Sequence, residues 1–348
     1  MADNERKVTS ISDLGEFGLI DRLTNKIKII NDSTLRGIGD DAAVIDAKDK
    51  KVVVTTDLLT EGIHFNLMYV PLKHLGYKSV VVNLSDVAAM NAVPTQITVS
   101  IAVSSKFSVE ALEQIYEGMK LACEKYGVDL VGGDTTSSMT GLVISVTAIG
   151  MAKEEELVYR NGAQINDLIC VTGDLGGAYM GLNLLERENR VFKDNPNIQP
   201  QLEGYNYILE RQLKPEVRND MKNKLEELNV KPTAMMDISD GLSSEVMHIC
   251  SDSGVGAKIY EEKIPMDDET KNLAEEMHIN PIVAALNGGE DYELLFTVPI
   301  ADHDKIRNHP DITIIGHIVD ASEGTNLVAM GGTEIELTAQ GWNALKKE

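Results

Sequence analysis

The chain has 348 residues, 43% of them hydrophobic and 5% aromatic, and a formal net charge of −23 from 32 Lys and Arg against 55 Asp and Glu. That length exceeds the span of a typical single hydrophobic core, so two domains are expected. The acidity, without a basic stripe, argues against nucleic acid as a partner and disfavours an anionic membrane surface.

The opening Met1-Ala2-Asp3-Asn4-Glu5-Arg6-Lys7 lacks the apolar core of a signal peptide, and no stretch approaches a membrane span. Gly15 to Asn25 reads as a helix, with Phe17, Ile20 and Leu23 at helical spacing. Lys51 to Thr56 reads as a β-branched strand ending on Asp57, and Leu72 to Asn91 as a helix carrying Asn83 and Asp86. Thr95 to Val103 alternates with period two, as a half-buried strand does. Ser108 to Tyr126 is amphipathic with Ser108 as its N-cap, and Val128 to Val131 is a short strand delivering Gly132-Gly133-Asp134 at its carboxyl end. Leu142 to Gly150 is another strand. The polar run Lys153-Glu154-Glu155-Glu156 marks a boundary, dividing the chain into 1–152 and 153–348.

In the second half, Asp167 to Thr172 reads as a strand, and Gly173-Asp174-Leu175-Gly176-Gly177 leads into a helix through Leu185. Glu188 to Tyr205, with Pro196 and Pro200, reads as a polar loop or insertion, so deleting residues 190–202 is expected to leave turnover intact. Helices at 205–213 and 217–229 precede a strand Thr233–Met236, and Asp237-Ile238-Ser239-Asp240-Gly241 opens a helix Leu242 to Ser253. Strands at Tyr292–Val298 and Ile312–Ile318 follow among short helices. The pattern is α+β with mixed sheets rather than a regular βαβ array. Cys123, Cys170 and Cys250 are odd in number, widely spaced and apolar in context; they read as buried hydrophobes of a reducing cytoplasm, not as disulfides or a zinc site.

Five segments set a carboxylate beside Gly, Ser or Thr: Gly39-Asp40-Asp41, Thr55-Thr56-Asp57, Asn83-Leu84-Ser85-Asp86, Gly132-Gly133-Asp134 and Asp237-Ile238-Ser239-Asp240-Gly241. Singly, each is explained as a turn or helix cap. Together they point to a hard cation, because neighbouring carboxylates repel one another and Asp with Ser or Thr oxygens is the ligand set of Mg²⁺. A P-loop, a nucleophile-elbow serine and the protein-kinase signatures are absent, and the Asp237–Gly241 segment places its glycine and His248 wrongly for an EF-hand. Phosphoryl transfer fits what remains, since it needs positioning and charge neutralisation more than covalent work by the protein. Asp41, Thr56, Asp57, Asp86, Asp134 and Asp237 are candidates to hold Mg²⁺. Arg160 either clamps a phosphate or pairs with Glu154–Glu156, and Gly288-Gly289-Glu290-Asp291-Tyr292-Glu293 is either a substrate loop or a tight turn.

The order of these segments closely resembles the thiamine-monophosphate kinase family, within the superfamily of aminoimidazole ribonucleotide synthetase, selenophosphate synthetase and the hydrogenase-maturation dehydratase. The resemblance runs through Gly37–Ala43, Thr55–Asp57, Glu61-Gly62-Ile63-His64-Phe65, Val82–Met90, Gly132–Thr136, Asp237–Leu242 and Gly288–Leu294, from Gly15 to Trp342. It implies transfer of the ATP γ-phosphate to thiamine monophosphate by direct in-line attack, without a phosphoenzyme. The first 40 residues hold no Cys, unlike selenophosphate synthetase. Residue by residue, the resemblance implies metal ligation by Asp41, Thr55 or Thr56, Asp57, Asp86, Asp134, Asp237 and Asp240, and nucleotide contacts by Gly133, Asp134, Arg160 and Ser239. It implies substrate contacts by His64, Glu290 and Trp342. It further implies an N-terminal mixed-sheet domain of the aminoimidazole ribonucleotide synthetase type that pairs in a homodimer, a C-terminal α/β sandwich-like domain, ATP with several Mg²⁺ ions, and a cytoplasmic enzyme.

Overall fold

A computed structural model of the chain describes residues 9, 11–38 and 43–338. The chain forms two compact units, residues 1–87 with 93–153, and residues 88–92 with 154–348. Among the described residues, no helix is long and apolar enough to cross a membrane.

The first unit contains α1 (Ile11–Thr24), β1 (Thr34–Arg36), β2 (Val44–Ile45), β3 (Lys51–Thr60), α2 (Leu72–Ala89), β4 (Val93–Val103), α3 (Val109–Tyr126), β5 (Asp129–Ser137) and β6 (Val143–Ala152). Its four-stranded sheet has the order β3-β6-β4-β5, antiparallel except for the parallel β4–β5 pair. The period-two pattern separates two faces. Ile97, Val99 and Ile101 on β4 and Ile144, Val146 and Ala148 on β6 are buried, whereas Ser100, Val54, Thr56 and Leu58 are exposed. Ser108 caps α3 by accepting the Ala111 N–H, as its position predicts, and Gly127 closes the helix in the left-handed conformation. The helices α2 and α3 meet at Gly76 and Gly118: a Cβ on Gly76 would lie 1.9 Å from the Ile115 carbonyl oxygen, and one on Gly118 1.9 Å from that of Lys73. Only hydrogen side chains permit that approach.

The second unit contains β7 (Leu168–Thr172), α4 (Gly177–Asp194), α5 (Asn206–Leu213), α6 (Asp220–Glu227), β8 (Ala234–Asp237), α7 (Leu242–Ser253), β9 (Gly256–Tyr260), α8 (Asp268–Glu276), α9 (Pro281–Asn287), β10 (Leu294–Val298), α10 (His303–Ile306), β11 (Ile312–Val319), β12 (Thr325–Val328) and β13 (Glu334–Glu336). Its seven-stranded sheet has the order β13-β12-β9-β11-β7-β10-β8, mostly antiparallel with a parallel β12–β9 pair. Both faces of the central strands are buried: Ile169, Val171 and Leu295 pack with α7 and α9 residues in one core, and Leu168, Cys170 and Phe296 with α6 residues in another. The α+β class with mixed sheets is thus as expected.

Three element readings are corrected. The strand expected to end on Asp57 continues to Thr60, and the one expected to stop at Val131 continues to Ser137, so Asp57 and Asp134 lie within strands. Each is paired along its length, β3 with β6 and β5 with β4, and this pairing outweighs the low strand preference of Gly and Asp. Residues 188–194, expected in a loop, complete α4: Glu188 is buried, pairs with Arg187 and accepts the Gln201 N–H. Polarity there marks an exposed helix face, not a loop.

Candidate functional site

In the first unit, the register of β3 decides which side chains meet. Thr55 and Asp57 project to the face against α2, where Asn83 and Asp86, three residues apart, point toward the strand. The Thr55 hydroxyl donates to Asp86 Oδ2 at 2.6 Å. The Asp57 N–H donates to Asn83 Oδ1 at 2.9 Å, and Asn83 in turn donates to the Ser79 carbonyl at 3.0 Å. Asn83 is fully buried, so this bond fixes the position of Asp57 against α2. Burial, and then the charge of Asp86, push the Asp57 carboxyl up to about 6. Two carboxylates in mutual repulsion, braced by a hydroxyl and an amide, form a donor set suited to a divalent cation.

Thr56 and Asp134 are not brought to this pair. Thr56 lies on the opposite face of β3, with Thr147 donating to its hydroxyl at 3.1 Å. Asp134 pairs in register with Ser100, which pairs with Ser145, which pairs with Leu58, placing it on the same exposed face at the far edge. Three strand spacings separate β5 from β3, roughly 14 Å. Gly133 is explained by packing, since a Cβ there would meet the Val99 carbonyl oxygen at 2.0 Å. His64 sits in the turn after β3, exposed, with Nδ1 accepting the Thr60 N–H at 3.1 Å. In the neutral ring the proton therefore resides on Nε2, which faces outward as a donor. Asp41 and Trp342 lie outside the described residues.

In the second unit, two acidic loops interleave. Ile238 donates to the Glu293 carbonyl at 2.8 Å, Glu290 to that of Ser239 at 2.7 Å, and Tyr292 to that of Ile238 at 2.9 Å, prolonging the β8–β10 pairing beyond the sheet. Asp237, Ser239, Asp240 and Glu290 are thereby gathered on one double loop. Partial desolvation, and then the nearby Glu290, raise the Asp240 carboxyl above its ordinary value, with His248 opposing them. Glu290 and Tyr292 hold left-handed backbones, at φ of 59° and 53°. Such conformations cost non-glycine residues about 1–3 kcal/mol each and cluster at functional sites. Arg160, by contrast, is an exposed side chain 3.9 Å from Asp252, and it does not pair with Glu154–Glu156 in the described structure.

Sequence reasoning missed the supports of this loop. Asp291, 1% exposed, accepts the Gly176 N–H at 2.8 Å and lies 3.6 Å from Arg211. Arg211 and Arg218 both reach Glu293, at 3.0 and 3.2 Å, and Gln212 donates to Glu290 at 2.9 Å. Half-buried guanidiniums thus face buried carboxylates, and removing one partner would leave the other charge uncompensated. Two arginines seven residues apart around a helix end gave the only signal, and they read equally well as surface charges.

Comparison with known proteins gives a consistent likeness. The family model described as AIR synthase related protein, N-terminal domain, matches residues 39–152, and that for the C-terminal domain matches residues 164–328. The thiamine-monophosphate kinase of Aquifex aeolicus (strain VF5) is 36% identical over 334 residues, covering 95% of this chain and 98% of that protein. That of Bacillus subtilis (strain 168) is 34% identical over 339 residues, covering 96% and 100%. Among solved structures, AaThiL complexed with AMPPCP and TMP aligns with a TM-score of 0.74 at 34% identity, covering 98% of this chain and 99% of that one.

Proposed function

From the premise that this chain belongs to the thiamine-monophosphate kinases of the AIR synthase-related family, we propose that its two acidic groups serve the phosphoryl transfer which that membership assigns. The chain is an ATP-dependent phosphotransferase whose acceptor is itself a phosphate, converting thiamine monophosphate to thiamine diphosphate in thiamine biosynthesis. The observation that carries the site reading is the Asp57–Asp86 pair, braced by Thr55 and Asn83, with the Asp57 carboxyl raised by burial and then by the charge of Asp86.

Thr55, Asp57 and Asp86 in the first unit, and Asp237 and Asp240 in the second, are the residues that would hold Mg²⁺. When bound there, the metal supplies positive charge that offsets the repulsion between two phosphate-bearing substrates. The donor chemistry fits: hard oxygens only, with carboxylates dominating. The chain's own residues do the rest. The attacking oxygen of the acceptor is already anionic, so no strong base is needed and none is assigned. His64 would present Nε2–H to the acceptor phosphate or ring, and Glu290, held by Gln212, would face the cationic thiazolium. Gly133, Asp134, Arg160 and Ser239 are retained as proposed nucleotide contacts, and Asp41 and Trp342 as proposed metal and thiamine contacts.

A homodimer is part of this reading. The face of the first sheet that carries Thr56 and Asp134 stays exposed and is apolar along β3, where Val54 is 61% and Leu58 55% exposed, which suits a second copy. A cytoplasmic setting suits three free, buried cysteines. The decisive assay combines ATP, Mg²⁺ and thiamine monophosphate and measures thiamine diphosphate directly, with and without a chelator. Product that appears only with metal is expected; product formed equally well in excess chelator would remove the metal from the reading.

A further inference from the structure

Glu245 lies in the first turn of α7, five residues beyond Asp240, and it is 1% exposed. Its Oε1 accepts the Asp240 N–H at 2.9 Å, while Oε2 has no hydrogen-bond partner among the described residues. A buried carboxyl with one oxygen unsatisfied is expensive, on the order of 1–3 kcal/mol for the missing partner alone. An apolar side chain of similar volume would avoid that cost on a helix whose Leu242, Val246 and Ile249 are already core residues. Packing alone therefore does not account for an acid at this position.

The turn supplies the account. Gly241 holds a φ of 112°, and a Cβ there would lie 2.7 Å from the Leu286 carbonyl oxygen, so only glycine fits. Gly241, at the N-cap of α7, has no side chain with which to cap the helix. On the other side, the segment is held through backbone bonds of Ile238 and Ser239 to the Glu290 loop. Between Ser239 and the start of α7, the Glu245 carboxyl is the side chain that grips the Asp240 backbone.

We infer that Glu245 is a positioning residue, which holds the Asp240 peptide from behind and so aims the Asp237 and Asp240 carboxylates at their cation. It touches neither substrate and acts through Asp240. This inference rests on the proposed role of those two aspartates in holding Mg²⁺–nucleotide.

The test compares two variants of the full chain. Glu245→Gln keeps an oxygen that accepts the Asp240 N–H, whereas Glu245→Met fills the volume and keeps none. The probes are Mg²⁺ with AMPPCP by calorimetry, and the KM values for ATP and thiamine monophosphate. Glu245→Met is expected to weaken Mg²⁺–AMPPCP binding and raise the KM for ATP about tenfold, with the KM for thiamine monophosphate within about twofold, as losses behind a metal ligand do. Glu245→Gln is expected to restore both within about twofold of wild type. Equal loss in both variants would show that the charge itself, not the hydrogen bond, is needed, and would overturn the inference. So would wild-type binding in Glu245→Met, or parallel rises in both KM values. If Glu245→Met does not fold, Glu245→Asp, too short to reach the Asp240 amide, replaces it. Asp240→Asn separates the two levels: unchanged nucleotide binding there rejects the metal reading, while loss there with none in Glu245→Met rejects only the positioning role.

Discussion

Thr55 and Thr56 are neighbours in sequence and occupy opposite faces of one strand, and that single fact sorts the expected ligands. Period-two geometry sends Thr55 to Asp86 and Thr56 to the exposed face beside Thr147. The resemblance left the two open because alternation puts neighbours on opposite faces without saying which face meets α2; the Thr55–Asp86 bond decides it. The aspartates themselves were legible from their small polar neighbours. Asn83, Glu245, Gln212 and Arg211 were not legible as supports, because what they hold is backbone or another side chain far along the chain. Asp57 carries a stability consequence. Its carboxyl titrates near 6 in the folded chain against an ordinary 3.8, so the folded form binds more protons within that window. Stability from this group is present below the lower value and is lost as pH rises through the upper one. In metal-free protein, Asp57→Asn is therefore expected to melt higher than wild type at neutral pH, with the gap widening from about pH 4 to about pH 7 and level above. The same variant, and Asp134→Asn, are expected to lose about a thousandfold in turnover. A gap that is flat in pH would show that neither burial nor Asp86 raises the Asp57 carboxyl.

At the level of elements, strongly periodic segments were readable: the Ser108-capped helix and the Leu242–Ser253 helix occur where their patterns place them. Strand ends were not, because pairing partners far along the chain, such as Val143 on β6 opposite Thr60 on β3, decide where a strand stops. The hairpin of α4 and α5 shows a further limit. Its connecting residues 196–200 are exposed, but Glu188 and Gln201 bond across it, and Leu202 and Tyr205 pack on the cluster of Met180, Leu184 and Ile208. Removal of residues 196–200 is expected to leave turnover and melting temperature unchanged. Removal of residues 190–202 is expected to lower the melting temperature by several degrees, because it cuts the last turns of α4 as well. Identical melting curves for the two deletions would refute this division.

For the whole molecule, acidity and a bare sheet face pull in different directions. A net charge of −23 disfavours self-association, yet Val52, Val54 and Leu58 form an apolar row that water solvates poorly. If two copies pair there, wild type should sediment at about twice 38.0 kDa, and Val54→Arg should sediment at that mass. A monomeric wild type would end the dimer proposal while leaving the single-chain Asp57–Asp86 geometry untouched. Neither composition nor charge signalled this face; it emerges only when β3, β6, β4 and β5 align their exposed rows.

The interleaved loops of the second unit lead to one more property. Residues 238–239 and 290–293 exchange backbone hydrogen bonds, so neither loop can become ordered without the other. A substitution that shifts the backbone of either loop is therefore expected to shift the other with it, moving the Asp240 and Glu290 carboxylates as one piece.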